Sequence, residues 1–363
     1  QESLLKYLYS SDREGYGEPL IKEENYYKSV WEEVVDRADR YNEVGVFTAF
    51  AGYEWTSHGT ERVSTRNWGL GGNLHRVVLF KGGSGKADKI RPFSKFDSED
   101  PADLWQFLEE YENKTGGEVI AIPHNGNGSE GEMFSLVDFK GQALDQLYAK
   151  TRSRWEPLYE VTQFKGDSET HPLLSPTDEF ADYETWNGWS GKIREGEEGS
   201  KQFEYARSAL KLGLEQGVKL GVNPFKFGMI GGTDSHTSLS TADENNFFGK
   251  LRTTEPKPER MFVPMLGYLN WKMSAAGYAA VWAQENTRES LFDAMKRKEV
   301  YASTGPRITV RFFGGWRYKA KDALRPDLAR IGYANGVPMG GDLTNAPKGK
   351  TPNFLIRAVK DPD

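Results

Sequence analysis

The chain contains no cysteine among its 363 residues. A disulfide framework, a thiolate nucleophile and a cysteine-ligated zinc site are therefore excluded. Any bound metal must be held by histidine, aspartate and glutamate. Histidine is itself scarce, with five residues, whereas the chain has ten tryptophans and seventeen tyrosines. This scarcity allows each histidine to be considered in its own sequence context.

The chain also lacks an excess of positive charge and any long apolar run. It has 47 basic and 53 acidic residues, which give a formal net charge of -6 at pH 7. A protein of this charge is not expected to bind nucleic-acid phosphates or to carry a polybasic membrane surface. No apolar run approaches the roughly 20 residues that a membrane-spanning helix requires. We therefore predict neither a nucleic-acid partner nor a membrane span.

Strand patterns alternate with helical patterns along most of the chain. Helices are predicted over residues 26–43, 98–115, 142–154, 201–216 and 288–298, and strands over residues 46–55, 74–80, 118–123, 158–163, 227–231 and 308–313. Such alternation favours a parallel α/β sheet or barrel. After about Gly314, short β-prone runs rich in glycine dominate. We therefore predict an α/β unit over residues 1–313 and the start of a small β-rich region over residues 314–363.

Residues that commonly bind metals stand at the ends of four predicted strands. They are Glu54, His124, Glu160 with His171 nearby, and Asp234 with His236. Carboxylate oxygens and imidazole nitrogens are typical ligands of Zn, Mn and Fe. Because the carboxyl ends of parallel strands meet on one rim, we expect these residues to converge on one site. Gly231 and Gly232 precede Asp234, at a point where a side chain would obstruct the chain.

Several of these residues also have a purely structural interpretation. Asp234 is a candidate to cap the segment that follows its strand, and Glu54 is a candidate for a half-exposed strand residue. His171 is open between a metal ligand, a substrate contact and a loop cap.

Seven ordered motifs, spread over nearly the whole chain, resemble the family called domain of unknown function 3604. They read GYEWTS, GGNLHRVVLF, IPHNGNGSEGEMF, KGDSETHPLLSP, YETWNGW, GGTDSHT and YASTGPRI. This resemblance implies a relation to the polymerase-and-histidinol-phosphatase (PHP) metal-dependent hydrolases. It also implies a distorted (β/α)7-type barrel whose site holds two or three divalent metal ions.

The resemblance assigns roles to individual residues. Four of them match metal-ligand positions of the PHP superfamily, namely Glu54, His124, Asp234 and His236. Four match motifs of the narrower family and are expected to be catalytic or to bind substrate, namely His75, Arg76, His171 and Arg307. Glu160 and Asn125 are expected to orient the ligands. Arg76 and Arg307 have an alternative as salt-bridged strand residues, and His75 as a core histidine.

The superfamily begins with a His-x-His motif on its first strand and a further histidine on its second. This sequence contains no His-x-His. The resemblance therefore implies a chain that starts after those strands, with a barrel incomplete at its N-terminus.

Together with these candidate metal ligands, the resemblance implies a metal-dependent hydrolase that cleaves a small-molecule ester by metal-activated water. The ester is a phosphoester, or a carboxyl or carbamate ester. One alternative is a metal-free glycan-binding or glycoside-active protein, with Glu54 and Glu160 as its carboxylate pair and Trp186 and Trp189 stacking on sugar. Histidines beside Glu54 would oppose that alternative. Another is a non-catalytic fragment of a metallohydrolase.

Overall fold

The computed structural model describes residues 24–59, 72–186, 198–236 and 277–362, with short pieces between 259 and 269. The helices in these ranges are α1 (Glu24–Arg40), α2 (Pro101–Thr115), α3 (Gln146–Trp155), α4 (Ala206–Leu220), α5 (Arg288–Lys296) and α6 (Leu328–Asn335). The strands are β1 (Ala51–Trp55), β2 (Arg76–Phe80), β3 (Val119–Pro123), β4 (Leu158–Gln163), β5 (Gly166–Asp167), β6 (Gly228–Gly231), β7 (Pro264–Met265), β8 (Tyr268–Leu269), β9 (Tyr278–Val281), β10 (Val300–Ser303), β11 (Thr309–Gly315), β12 (Gly336–Pro338) and β13 (Asn353–Val359). No helix of the described residues is long and apolar enough to cross a membrane.

Residues typical of helix ends mark both ends of α2. The Asp100 side chain accepts a hydrogen bond from the Ala102 backbone N–H, and Pro101 occupies the first turn. Gly116 ends the helix in the left-handed conformation, with φ 61°. The helix therefore has a capping aspartate before it and a glycine after it.

The predicted helix over residues 201–216 is displaced towards the C-terminus. Residues Glu198–Phe203 form a 3₁₀ helix, and α4 runs from Ala206 to Leu220. Gly217, which directly follows the predicted end of this helix, lies inside it. Gly221 caps the helix instead, with φ 76°.

Strands β1, β2 and β3 form an antiparallel sheet, contrary to the expectation of parallel strands. Only its central strand runs in the opposite direction, so β1 and β3 end where β2 begins. Trp55 is opposite Arg76, which in turn is opposite Pro123. In the next sheet, β4 pairs in parallel with β6 and antiparallel with the short β5. The ends of β1 and β3 therefore still meet at one edge.

Alternating residues of these strands pack against two different layers. One face of the first sheet packs against α1 and α2, through residues that include Val78, Phe80, Val119 and Ala121. The other face contributes to an inner apolar cluster with β4, β6, β10 and α5, made of Ile120, Ile122, Leu158, Ile230, Phe292, Met295 and Val300. Strand β3 lies beside β4, and β6 lies beside β10. Side chains on this inner face therefore point towards a shared interior.

The hydrogen-bonded sheets of the described residues contain two or three strands each. The predicted barrel therefore stays a prediction.

The C-terminal region is a small sheet in the order β12–β11–β13, covered on one face by α6. Phe313 and Leu355 are buried in its core. The strand β11 begins at Thr309, so this sheet includes residues that the prediction placed before the boundary at 314. The Trp282 indole N–H donates to the Val310 carbonyl at 2.8 Å and links the sheet to the α/β unit.

Candidate metal centre

Glu54, His75 and His124 meet at the edge of the first sheet. Glu54 is the second-last residue of β1, His75 directly precedes β2, and His124 directly follows β3. Because alternate strand residues share a face, His124 lies on the same inner face as Ile120 and Ile122. The Oε1 atom of Glu54 accepts hydrogen bonds from His75 Nδ1 at 2.8 Å and from His124 Nε2 at 3.0 Å.

Asp234 and His236 approach Glu54 from the loop after β6. His236 Nε2 lies 4.0 Å from Glu54 Oε2, and His236 Nδ1 lies 3.8 Å from Asp234 Oδ1. Asp234 has a left-handed backbone, with φ 53°. This conformation is uncommon for a residue other than glycine, although aspartate is among those that tolerate it. Four predicted metal ligands are thereby brought together, and His75 joins them.

The five side chains form two groups that share Glu54. In the first, ligand atoms of Glu54, His75 and His124 lie within 4.8 Å of one another. In the second, the same holds for Glu54, Asp234 and His236. Two imidazoles with one carboxylate, and one imidazole with two carboxylates, are donor sets that suit Zn, Mn or Fe. The residues therefore fit a centre for divalent cations.

Burial and hydrogen bonding set the protonation of the first group. Burial acts to raise the pKa of Glu54, but the hydrogen bonds from His124 and His75 outweigh it and lower that pKa. Burial lowers the pKa of His75 to about 3, in spite of its hydrogen bond to Glu54. Burial also acts to lower the pKa of His124, but Glu54 raises it overall. Glu54 is thus held as a carboxylate beside a neutral His75, the forms in which both bind metals.

Glu160 and Asn125, the residues expected to orient ligands, are linked through Gln163. The Gln163 Nε2 atom donates to Asn125 Oδ1 at 2.9 Å and to Glu160 Oε2 at 3.1 Å. Burial raises the pKa of Glu160 to about 7. A carboxyl group with this pKa is present in both its protonated and its ionised form near neutral pH.

A side chain at position 232 would collide with Glu160. A Cβ atom built on Gly232 would lie 2.1 Å from Glu160 Oε1. The expectation that glycine leaves room here is confirmed, because the carboxylate occupies the space that the missing side chain leaves.

Lys165 is a site residue that the sequence analysis missed. Its Nζ atom lies 2.5 Å from Asp234 Oδ2, and both side chains are almost buried. The only sequence signal was a cation just after β4, in the segment QFKGD. A single lysine after a strand is usually exposed, so burial could not be inferred from this position.

His58 is a second missed residue. Its Nδ1 atom lies 3.5 Å from His75 Nε2, on the side of the ring opposite Glu54. A signal was available in the sequence, because His58 is one of only five histidines and follows Glu54 by four residues.

Arg76 lies away from this cluster, on the opposite face of the sheet. Its Nε atom pairs with Glu156 Oε1 at 3.0 Å, and both side chains are buried. The Trp105 indole N–H donates to the same Oε1 atom, and Arg152 forms an ion pair with Oε2 at 3.0 Å. This position matches the salt-bridged alternative for Arg76, because alternation along β2 turns its side chain away from that of His75.

The two remaining predicted residues belong to neither ligand group. His171 is buried; its Nδ1 atom accepts a hydrogen bond from the Leu173 backbone N–H, and its ring packs 5.4 Å from that of Tyr205. Arg307 is exposed, and its Nε atom lies 4.0 Å from Asp361 Oδ2. The bond from Leu173 resembles the loop-cap alternative for His171. Of the two tryptophans expected to stack on sugar in the glycan-binding alternative, Trp186 is buried and Trp189 lies outside the described residues.

A family model described as "Protein of unknown function (DUF3604)" matches residues 6–363. No curated protein and no solved structure matches the chain.

Proposed function

The chain belongs to the DUF3604 family, whose description names no activity, and from its ligand cluster we propose that it is a metal-dependent hydrolase acting on an ester bond. The substrate is a small molecule with a phosphoester, or a carboxyl or carbamate ester. The cofactors are two or three divalent ions, of Zn, Mn or Fe.

One observation carries the proposal: the two ligand groups share Glu54. A carboxylate has two oxygens, and those of Glu54 face different partners. Oε1 faces His75 and His124, whereas Oε2 faces His236. Glu54 is therefore suited to serve two cations, with the histidines and Asp234 completing their ligands.

Bound divalent ions supply Lewis acidity and lower the pKa of water towards about 7, which makes a nucleophile available at neutral pH. The protein's own residues provide the setting for this chemistry. Glu54 stays ionised because His75 and His124 donate to it. Glu160 and Gln163 line the same interior beside Asn125.

The contacts of Glu54 favour this proposal over a glycoside-active protein. A glycosidase needs two carboxylates that flank a sugar bond. Here two histidines bond to one of the two candidate carboxylates. This was the arrangement expected to oppose that alternative.

The relation to the PHP superfamily and its barrel is part of the proposal. Its support is the inner apolar cluster, to which β3, β4, β6 and β10 all contribute. The ligands Glu54 and His124 lie at the carboxyl ends of β1 and β3, as expected for the rim of a barrel, and His75 joins them at the start of the antiparallel β2.

Metal content and hydrolysis, measured together, test the proposal. The protein is stripped with a chelator, reloaded with Zn, Mn or Fe, and analysed by elemental analysis. It is then assayed on chromogenic phosphomonoesters, phosphodiesters and carboxyl esters. We expect chelation to abolish hydrolysis of one class and reloading to restore it.

Glu54→Gln and His124→Ala are the informative variants, and Glu156→Gln is the control. We expect Glu54→Gln to lose metal and to lower kcat/KM by about a hundredfold or more. Glu156→Gln also neutralises a buried carboxylate, but one that pairs with Arg76 on the other face of the sheet. The Glu156→Gln variant should keep its metal. The proposal fails if chelation leaves hydrolysis unchanged, or if His124→Ala keeps both metal and rate.

A further inference from the structure

Lys165 places a positive charge directly against a candidate metal ligand. Its Nζ atom lies 2.5 Å from Asp234 Oδ2, with side-chain exposures of 6% and 9%. The other carboxylate oxygen, Oδ1, faces His236 at 3.8 Å. One carboxylate oxygen of Asp234 therefore faces Lys165, and the other faces His236.

The backbone around Lys165 is fixed to the loop that carries His124. The Asn127 Nδ2 atom donates to the Lys165 carbonyl at 3.0 Å, and the Ser168 hydroxyl donates to Asn127 Oδ1 at 2.9 Å. Asn127 is buried. The ammonium group therefore reaches Asp234 from a rigid turn.

We propose that Lys165 is an internal counter-ion that acts through Asp234, and that its charge makes the Asp234–His236 side the weaker of the two cation sites. This inference rests on the proposed function, since it assumes that the cluster binds two cations.

Two physical effects lead to this assignment. First, the ion pair neutralises a buried carboxylate whose charge would otherwise be costly without a cation. Second, a cation bound at Oδ1 would be repelled by an ammonium group bonded to the other oxygen of the same carboxylate. Such repulsion is strong in a partly buried site, where screening by water is weak. Asp234 is not a member of the group formed by Glu54, His75 and His124, so a cation held by that group should feel less of this repulsion.

Metal titration of the stripped protein and of Lys165→Met tests the assignment. We expect the wild type to bind two equivalents of Zn or Mn with unequal Kd. Removing the charge should tighten the weaker Kd by about tenfold or more and change the tighter Kd by less than about threefold. A merely structural role would loosen binding instead. Lys165→Arg keeps the charge and should restore the wild-type Kd, and Lys165→Gln provides a second neutral variant.

Lys201→Met is the matched control. Lys201 is also buried, and its Nζ atom lies 2.7 Å from Glu204 Oε2, a carboxylate outside both ligand groups. The Lys201→Met variant should leave both Kd values unchanged. If the wild type binds two cations but neither neutral variant tightens the weaker one, the role of Lys165 is refuted and the proposed function stands. If the wild type binds no divalent cation, the proposed function is refuted and this inference with it.

Discussion

His75 and Arg76 are neighbours in sequence, but their side chains lie on opposite faces of the first sheet. His75 donates to Glu54 at the ligand cluster, whereas Arg76 pairs with the buried Glu156 between the sheet and its helices. The two residues occur together in one motif, yet their contacts imply different roles. One belongs to the candidate metal centre, and the other stabilises the packing that supports it.

Replacing Arg76 with methionine should lower stability without removing metal. The change removes one guanidinium from a buried ion pair and leaves Glu156 with fewer partners. Breaking a buried pair in this way costs about 3–5 kcal/mol. The remaining ion pair with Arg152 and the hydrogen bond from Trp105 should keep the loss near the lower value. Chemical denaturation measures the loss, and elemental analysis measures the metal.

His75→Ala is the comparison for this prediction. The His75→Ala variant should lose metal, because His75 belongs to the ligand group with Glu54 and His124. Its loss of stability should be smaller than that of Arg76→Met. Loss of metal in Arg76→Met, measured on folded protein, would contradict the separation of the two roles.

Substituting alanine for Gly232 should disturb the site through Glu160. The new Cβ would lie 2.1 Å from Glu160 Oε1, so the carboxylate or the loop must move. Overpacking of this kind costs about 1–3 kcal/mol. Because Gly232 is two residues before Asp234, we also expect weaker metal binding. Gly199→Ala is the control, since a Cβ there meets nothing within 4 Å. Equal behaviour of the two variants in denaturation and metal titration would contradict the prediction.

Local signals in the sequence predicted individual elements well. The strand over residues 158–163 is confirmed residue for residue, and the helix predicted over residues 98–115 ends at Thr115 as expected, with Gly116 as its cap. These signals depend on neighbouring residues alone, through alternation of apolar side chains and the conformational freedom of glycine.

The pairing of strands was not predictable in the same way. An apolar strand pattern is the same for either direction of pairing, so the antiparallel β2 was missed. The convergence of Glu54 and His124 was still expected, because β1 and β3 end at the same edge. His75 joins them because β2 starts there.

The partners of ligands were also beyond the sequence. Lys165 contacts Asp234 across a long separation in the chain, and only the fold brings the two together. The position of Arg76, in contrast, could have been predicted from the sequence. Successive side chains of a strand point to opposite faces, so Arg76 and His75 could not share one site.

Stability should depend on pH through Asp167. Burial raises the pKa of this carboxyl and outweighs the backbone hydrogen bonds from Glu169 and Thr170, which act to lower it. The resulting pKa is about 7. Its pKa in the unfolded chain is near 3.8. Between these values the folded protein keeps a proton that the unfolded chain releases, so this contribution to stability is present at low pH and lost as the pH rises towards 7.

Asp167→Asn mimics the protonated form and should remove this dependence. Relative to the wild type, its Tm should rise as the pH increases from about 4 to 8. Asp178→Asn is the control of opposite sign, because the Phe180 N–H and Arg207 lower the pKa of Asp178. A Tm difference for Asp167→Asn that does not change with pH would contradict the prediction.

Trp282 should control how firmly the C-terminal sheet is attached. Its indole N–H donates to the Val310 carbonyl at 2.8 Å, and the Arg311 guanidinium lies 3.2 Å from the centre of its ring. Trp282→Phe keeps an aromatic ring but removes the donor, which should cost about 1 kcal/mol, whereas Trp282→Ala removes both contacts and should cost about 3 kcal/mol or more. Because Val310 and Arg311 belong to β11, hydrogen exchange should increase in β11 and β13 before it increases in β1–β3. Exchange that rises equally in both sheets would show that Trp282 stabilises the whole molecule and not this attachment.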